Sequence, residues 1–261
     1  MSGYLSVKHT NFEVAEFIAL TISLGLAISG STVLNMWYDR DIDSQMKRTC
    51  WRPLPAGKVR PNDVLMLGLF LSFCGVSWAV SLSKLYGLVV FAGLFFDLIV
   101  YTMWLKRRTA WSIVWGGISG GMPILAGRTL GLGQLDWIGI LLALAVLFWI
   151  PTHIMTFCMR YYDDYCTAKI PTFPWRYGFQ VTRLVMSLSS ILAALCIAMA
   201  AFCIRLGTGF LQALLALSGI LILLAATSMV KSSEKLNFGL FKYASVYMLG
   251  AMILIATQAL W

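Results

Sequence analysis

The chain is 261 residues long, 59% of them apolar and only 12% charged, with a mean hydropathy of +0.80. Ordinary soluble domains carry about 25% charged residues, so this composition excludes a water-soluble globule and a disordered chain. In so apolar a sequence the net charge of +9 fits loops beside an anionic leaflet better than nucleic-acid binding.

A bilayer core of about 30 Å needs roughly 20 apolar helical residues. Uncharged runs of that order occupy residues 17–38, 64–83, 110–127, 137–159, 184–204, 206–230 and 243–261. An eighth, at 85–105, is broken once by Asp97. Lipid offers backbone groups no water, and the runs lack the alternation of strands. The expectation is an all-α multi-pass bundle of eight spans around a cavity, forming one domain over residues 1–261.

Sixteen of the 20 Lys and Arg fall in the loops after the first, third, fifth and seventh runs. Only Lys8, Lys84, Arg128 and Arg205 lie on the other side. The positive-inside rule turns the crowded side to the cytoplasm and leaves both chain ends outside. Met1–Glu16 lacks the order of a cleavable signal. That combination asks for a further helix ahead of Glu13, so the N-terminal part is expected to be incomplete. The six cysteines, at 50, 74, 158, 166, 196 and 203, show no C-x-x-C or zinc spacing and read as small apolar residues.

The first run ends in Asn35-Met-Trp-Tyr-Asp39-Arg-Asp41-Ile-Asp43. On a continuous helix Asn35, Asp39 and Asp43 would line one face over about 12 Å. Three oxygen ligands in a row suit Mg²⁺ bridged to a diphosphate, because Mg²⁺ takes few protein carboxylates and completes its octahedron with phosphate and water. The bland alternative is a charged interface cap. Asp41 points elsewhere, solvated or paired with Arg40 or Lys47. The following loop brings Lys47, Arg48 and Arg52, ahead of Pro53-Leu54-Pro55, and cations there suit phosphate oxygens.

The third run closes on Tyr101-Thr102 and Lys106-Arg107-Arg108, where Lys106 and Arg107 either reach a diphosphate or anchor the helix at the interface. Asp97, nine residues earlier, must be neutral, paired or beside a wet cavity. The glycines from Gly116 to Gly121, before Pro123, allow close helix approach or a bend beside a ligand. The fifth run repeats the acidic ending of the first: Arg160-Tyr161-Tyr162-Asp163-Asp164-Tyr165, then Lys169-Ile170-Pro171. Asp163 and Asp164 hold a second Mg²⁺, or Asp164 simply pairs with Arg160 one turn away. His153 lies two residues after Pro151 and about two turns deeper than Arg160. Helix, acidic end, proline loop and three helices thus occur twice, a weak internal repeat.

These residues resemble the UbiA-type intramembrane prenyltransferases, whose first motif is N-x3-D-x3-D, and within them the branch that farnesylates protohaem IX. The likeness is carried by Asn35 to Asp43, Arg48-Thr49 with Arg52-Pro-Leu-Pro55-Ala-Gly57, Tyr101-Thr with Trp104 to Thr109, the glycines up to Pro123, and His153, Arg160 and Asp164-Tyr165 before Ile170-Pro171. It runs from about residue 17 to the C-terminus. The resemblance implies nine helices in two similar halves, with both acidic motifs at a cytoplasmic mouth in the cell membrane. The family's first helix and the Lys-Pro-Arg element near its start are not in this sequence. Tyr165 and Lys169 stand where other branches carry a fuller D-x3-D. Transfer of farnesyl from farnesyl diphosphate to a vinyl group of haem B, with Mg²⁺, is the implied activity. Asn35, Asp39, Asp43 and Asp164 would be catalytic, with Asp163 as a further metal ligand. Lys47, Arg48, Arg52, Lys106, Arg107, Tyr165 and Lys169 would serve the donor, and His153 and Arg160 the haem. A downstream haem-modifying enzyme or a terminal oxidase assembly would receive the product. Competing readings are prenylation of a quinone precursor or lipid head group, and a transporter or structural membrane subunit.

Overall fold

The computed structural model describes residues 1–7, 12–231 and 233–258; Lys8 and residues 259–261 of the last apolar run lie outside them. In chain order the elements are α1 (Ser2–Leu5), α2 (Val14–Tyr38), α3 (Arg40–Gln45), α4 (Pro61–Leu82) and α5 (Lys84–Phe95). A π-helical segment, Phe96–Leu105, continues α5 without a break. Then come α6 (Ser112–Leu132), α7 (Trp137–Arg160), α8 (Tyr162–Thr167), α9 (Phe173–Ile204), α10 (Thr208–Val230) and α11 (Glu234–Gln258). Among the described residues there is no strand. The all-helical bundle expected from the apolar runs is what the chain forms.

All eight expected spans are present as helices. Seven are long and apolar enough to cross a bilayer: α2, α4, α5 with its π segment, α7, α9, α10 and α11. The eighth, α6, has the length, but six glycines and Arg128 lower its hydropathy. Small residues there serve packing. A Cβ on Gly121 would stand 2.6 Å from the Ala143 carbonyl oxygen, so only glycine lets α6 lie this close to α7. Phe73 and Phe202 are over 70% exposed, as lipid-facing side chains are in a bundle that turns its apolar residues both ways.

The internal repeat is visible in three dimensions. Each half begins with a long helix, breaks for one residue, and continues as a six-residue helix with two acids in its first turn: α2 and α3, then α7 and α8. Three more long helices follow each. One core gathers around Leu20, Ala79 and Tyr86 in the first half, another around Leu142, Ile197, Leu214 and Tyr247 in the second. Buried hydroxyl pairs tie helices inside each: Ser23 to Tyr86 at 2.9 Å and Ser218 to Tyr247 at 3.0 Å. In one respect the chain departs from its pattern. The stretch ahead of the apolar run at 184–204 is already helical from Phe173, with the kink confined to Gly178 (φ 80°).

At the end of the bundle away from the acidic motifs, Arg128 and Asp136 form a two-bond clamp between α6 and the start of α7. Arg128 Nε donates to Asp136 Oδ1 at 2.7 Å, and a terminal nitrogen donates to Oδ2 at 2.8 Å. The other terminal nitrogen reaches Ser6 Oγ at 2.7 Å. Burial acts to raise the Asp136 carboxyl, but Arg128 and the Gly139 N–H prevail and hold it below its ordinary range. A depressed carboxylate contributes stability above its unfolded value and loses it as pH falls through the folded one. Asp136→Asn leaves Arg128 buried without its anion, at roughly 3–5 kcal/mol. The Tm in detergent should therefore drop at pH 7, and the gap to the parent should narrow as pH falls below about 4 and close once the folded Asp136 is itself protonated. A gap that does not narrow over that fall would show that the clamp acts through something other than charge.

Candidate active site

The two acidic arms meet at one end of the bundle through an apolar seam. Ile42 and Met46 from α3 and its loop pack against Ala168 and Ile170 beyond α8. Above the seam lies a cavity of about 220 Å³, walled by α2, α3, the π segment, the starts of α6 and α9, and the end of α7. Asn35, Asp39 and Asp43 all line it, as the spacing predicts. They do not share one helix. α2 stops at Tyr38, Asp39 caps it with φ −87° and ψ 7°, and α3 starts afresh at Arg40. The break keeps the three oxygens on one wall while Asp41 turns outward.

Each of these side chains has a definite partner. Asn35 donates its amide N–H to Thr102 Oγ1 at 2.9 Å, and that hydroxyl donates to the Asp97 carbonyl at 2.8 Å. Asp39 is 3% exposed; Lys106 Nζ donates to its Oδ2, and Arg107 approaches Oδ1 at 3.7 Å. Arg52 donates to Asp43 Oδ2 at 2.8 Å. Arg48 lines the cavity and donates its backbone N–H to Asp164 Oδ2 at 3.3 Å, which ties the two acidic arms together. Burial pushes the Asp39 carboxyl up, against the pull of Lys106 and Arg107. Desolvation works against the Lys106 ammonium, yet Tyr101 and Asp39 hold it above its ordinary range. Burial likewise raises Tyr165, whose side chain lines the same wall.

Eight buried side-chain polar atoms lack a hydrogen-bond partner among the described residues. Three belong to this cavity: Asp39 Oδ1, Arg48 Nε and Thr172 Oγ1. A buried carboxylate oxygen without a partner wants a cation, and a buried guanidinium N–H wants an anion. A divalent cation carrying a diphosphate supplies both. The donor set fits Mg²⁺: no three His, Cys, Asp or Glu converge as a ready cage among the described residues, and Mg²⁺ uses few protein ligands. The N-terminus of α6, at Ser112 and Ile113, also faces the cavity and adds a positive dipole end.

Several expected residues sit elsewhere. Asp41 is exposed, and its partner is Arg107, two bonds of 2.7 Å, rather than Arg40 or Lys47. That pair, led by the Arg107 hydrogen bond, holds Asp41 below its ordinary range. Lys47, Asp163 and Lys169 are exposed and do not line the cavity; Lys169 has φ 54° at the turn after α8. Asp164 reaches the cavity's edge through Arg48 and forms no pair with Arg160. Arg160 faces a second cavity, of about 630 Å³, between α7, α9 and α11, with Arg183, Glu234, Lys235 and Phe238. Its guanidinium lies 5.0 Å over the Phe238 ring. His153 stands deeper, its ring 4.8 Å from Trp149 and 5.0 Å from Phe241, and both His153 Nδ1 and Trp149 Nε1 are buried without partners. The residues given no role from sequence are Tyr101, Thr102, Cys158 and Thr172. They are uncharged, and only the fold brings Tyr101, Cys158 and Thr172 to the cavity wall and Thr102 to the Asn35 amide.

Across residues 1–253 the sequence matches the UbiA prenyltransferase family, and the chain belongs to it. Within that class it is 46% identical over 165 residues to a protoheme IX farnesyltransferase of Archaeoglobus fulgidus, covering 63% of this chain and 58% of the relative. A protoheme IX farnesyltransferase of Pyrobaculum arsenaticum is 34% identical over 249 residues, 94% of this chain and 88% of that one. The chain thus spans under two thirds of the first relative and most of the second. The solved structure of a UbiA homologue from Archaeoglobus fulgidus bound to DMAPP and Mg²⁺ superposes with a TM-score of 0.70 at 14% identity, covering 97% and 92% of the two chains. At that identity the likeness speaks for the fold.

Asp39 and Asp41 differ in burial and partners, so their isosteric amides should separate. Asp39→Asn is expected to weaken Mg²⁺-dependent diphosphate binding more than about tenfold, since a hydrogen bond to a charged group contributes roughly 1.5–3 kcal/mol. Asp41→Asn loses only an exposed pair, ~1 kcal/mol or less, and should stay within about fivefold. Calorimetry on detergent-solubilised protein checks both; equal losses would sink the one-wall metal site.

Proposed function

We propose that this protein transfers farnesyl from farnesyl diphosphate to a vinyl group of protohaem IX, adding water and releasing diphosphate, to give haem O. The observation that carries the donor half is the cavity wall itself: a buried carboxylate oxygen on Asp39 and a buried guanidinium N–H on Arg48, both without a hydrogen-bond partner, on residues lining one cavity. Names and activities of the relatives support the acceptor half.

The barrier in such a transfer is ionisation of an allylic C–O bond. Mg²⁺, held by Asn35, Asp39 and Asp43, would supply counter-charge to the departing diphosphate. Arg48, Arg52 and Lys106 bind its oxygens from the sides not facing the carboxylates, and Arg107 steadies Asp39 from outside. Below them Ile154, Met155 and Ile113 make an apolar floor that keeps bulk water from the allylic cation. Asp164, through the Arg48 backbone, closes the second arm over the first and orients the guanidinium.

For the acceptor, the second cavity offers Arg160, Arg183 and Lys235, cations that suit the two propionates of a haem. His153, with its unpartnered nitrogen among aromatic rings, suits contact with the iron or the macrocycle face. The 16 to 4 division of Lys and Arg supports a cell-membrane orientation with both cavities opening at the cytoplasmic face.

His153→Ala should weaken haem binding, followed by the Soret band, and leave Mg²⁺-dependent farnesyl diphosphate affinity within about threefold, under ~0.7 kcal/mol. Loss of diphosphate affinity with an unchanged haem spectrum would place His153 on the donor side. Diphosphate release that proceeds only with a quinone precursor or lipid head group, and never with haem, would overturn the acceptor.

A further inference from the structure

Beneath the donor cavity lies a third one, of about 260 Å³, between α2, the α5–π junction and α6. Its walls are largely apolar, and Asp97 is the ionisable residue among those lining it. Ser31 Oγ donates to Asp97 Oδ2. The other hydroxyls of the wall turn back onto their own helices, Thr32 to the Ile28 carbonyl at 2.9 Å and Ser119 to Gly116 at 2.7 Å. A single serine is a poor match for a carboxylate at membrane depth, where ionisable groups are costly and serve function. Asp97 Oδ1 remains to accept from a ligand or a water.

The depth of this carboxylate is informative. Ser31, its partner, lies one turn below Asn35 and two turns, about 12 Å, below Asp39. His153 lies seven residues, about 10 Å, below Arg160. Propionates and vinyls occupy opposite edges of protohaem. Counted along each helix, a haem with its propionates at Arg160 would carry its vinyls toward the depth of His153, and an allylic carbon hanging from a diphosphate at Asp39 would descend toward Ser31 and Asp97.

We propose that Asp97 is the base that takes the proton of the water added in this reaction; the inference rests on the haem-farnesylating reading above. The C1–O bond of farnesyl diphosphate breaks, its electron pair leaving with diphosphate. The vinyl π pair forms a C–C bond to C1 and leaves the positive charge on the vinyl carbon next to the porphyrin ring. A water oxygen donates a lone pair there, and Asp97 accepts the proton that this oxygen sheds. Charge and atoms balance with no further reactant. In an otherwise apolar pocket the carboxylate also fixes where the one productive water sits, away from the mouth, and stabilises the cation it faces.

The test compares the parent with Asp97→Asn, Asp97→Glu and Ser31→Ala in purified protein supplied with haem B, farnesyl diphosphate and Mg²⁺. Extracted haem is analysed by mass spectrometry for the hydrated adduct and for the farnesylated product lighter by one water, with diphosphate release followed in parallel. Asp97→Asn should keep farnesyl diphosphate affinity within about threefold and lose the hydrated adduct at least about tenfold, with the lighter adduct rising in its place. Asp97→Glu should restore part of the hydrated product, and Ser31→Ala should fall between; Ser31→Ala carries the test if Asp97→Asn does not fold. Hydrated adduct formed at the parental rate by Asp97→Asn, or by Ser31→Ala in that case, overturns the inference alone. A parent that releases diphosphate without any haem adduct overturns the underlying reading, and the inference with it.

Discussion

The buried contact between Asp39 and Lys106 sets the terms for the rest of the molecule. It joins the end of α2 to the end of the π segment, two helices that have only apolar and hydroxyl contacts deeper down. Asp39 is nearly sealed from solvent, and removing its partner would cost roughly 3–5 kcal/mol. Lys106 satisfies one oxygen and leaves Oδ1 without a hydrogen bond, with Arg107 at 3.7 Å. Burial raises the carboxyl in spite of two nearby cations, an imbalance that the proposed metal–diphosphate would relieve. Arg52 on Asp43 and Arg107 on Asp41 repeat the pattern with less burial, Asp43 still inside the wall and Asp41 open to solvent.

The π segment makes this geometry possible. Asp97 and Lys106 are nine residues apart; on an α-helix nine residues turn through about 900° and leave the two on opposite faces. At roughly 4.4 residues per turn, the π register brings them through nearly two full circles to one face. The wider turn also leaves the Asp97 carbonyl to accept from Thr102 Oγ1, five residues on, and Thr102 in turn positions Asn35. A single change of helical register therefore supplies the lysine for Asp39, the support for Asn35 and the carboxylate of the deeper cavity. Gly116, whose added Cβ would stand 3.0 Å from the Tyr101 ring, keeps room for the broadened segment.

Much of this was legible in the sequence where one rule governs. Run lengths set by bilayer thickness located all eight helices, and even α6, too glycine-rich to qualify by hydropathy, was found by its freedom from charge. Acids at a helix end need a reason, so Asn35, Asp39 and Asp43 declared themselves. Positions fixed by direction rather than type did not. Lys47, Asp163 and Lys169 have the right chemistry beside the right motifs but point to solvent, and no spacing rule anticipates the positive φ at Lys169. The break at Asp39 and the π register both depart from 3.6 residues per turn, so readings based on that period put Asp39 inside a helix and left Asp97 without a face. Arg48 meets Asp164 through its backbone, a contact that side-chain chemistry cannot signal.

Helix α7 separates two cationic cavities at one end of the bundle. Ile154, Met155 and Cys158 line the donor cavity, while Thr156, Met159 and Arg160 line the second one. Around the helix these sets fall on roughly opposite faces, so α7 is the partition between them. A diphosphate and a pair of propionates would compete for a common cationic patch. On the proposed reading each would have its own, Arg48, Arg52 and Lys106 on one side, Arg160, Arg183 and Lys235 on the other. The partition holds at the mouth, where the charges are. Deeper in, α7 carries Pro151 and His153, while α6 and α2 supply Pro123 and Ser31 to the third cavity. On the proposed reading, charged heads would be kept apart at the mouth while apolar bodies extend below it. An ionisation needs that arrangement when the nucleophile is an uncharged vinyl group: the cation would be released near its acceptor, with the anions that could recapture it held above.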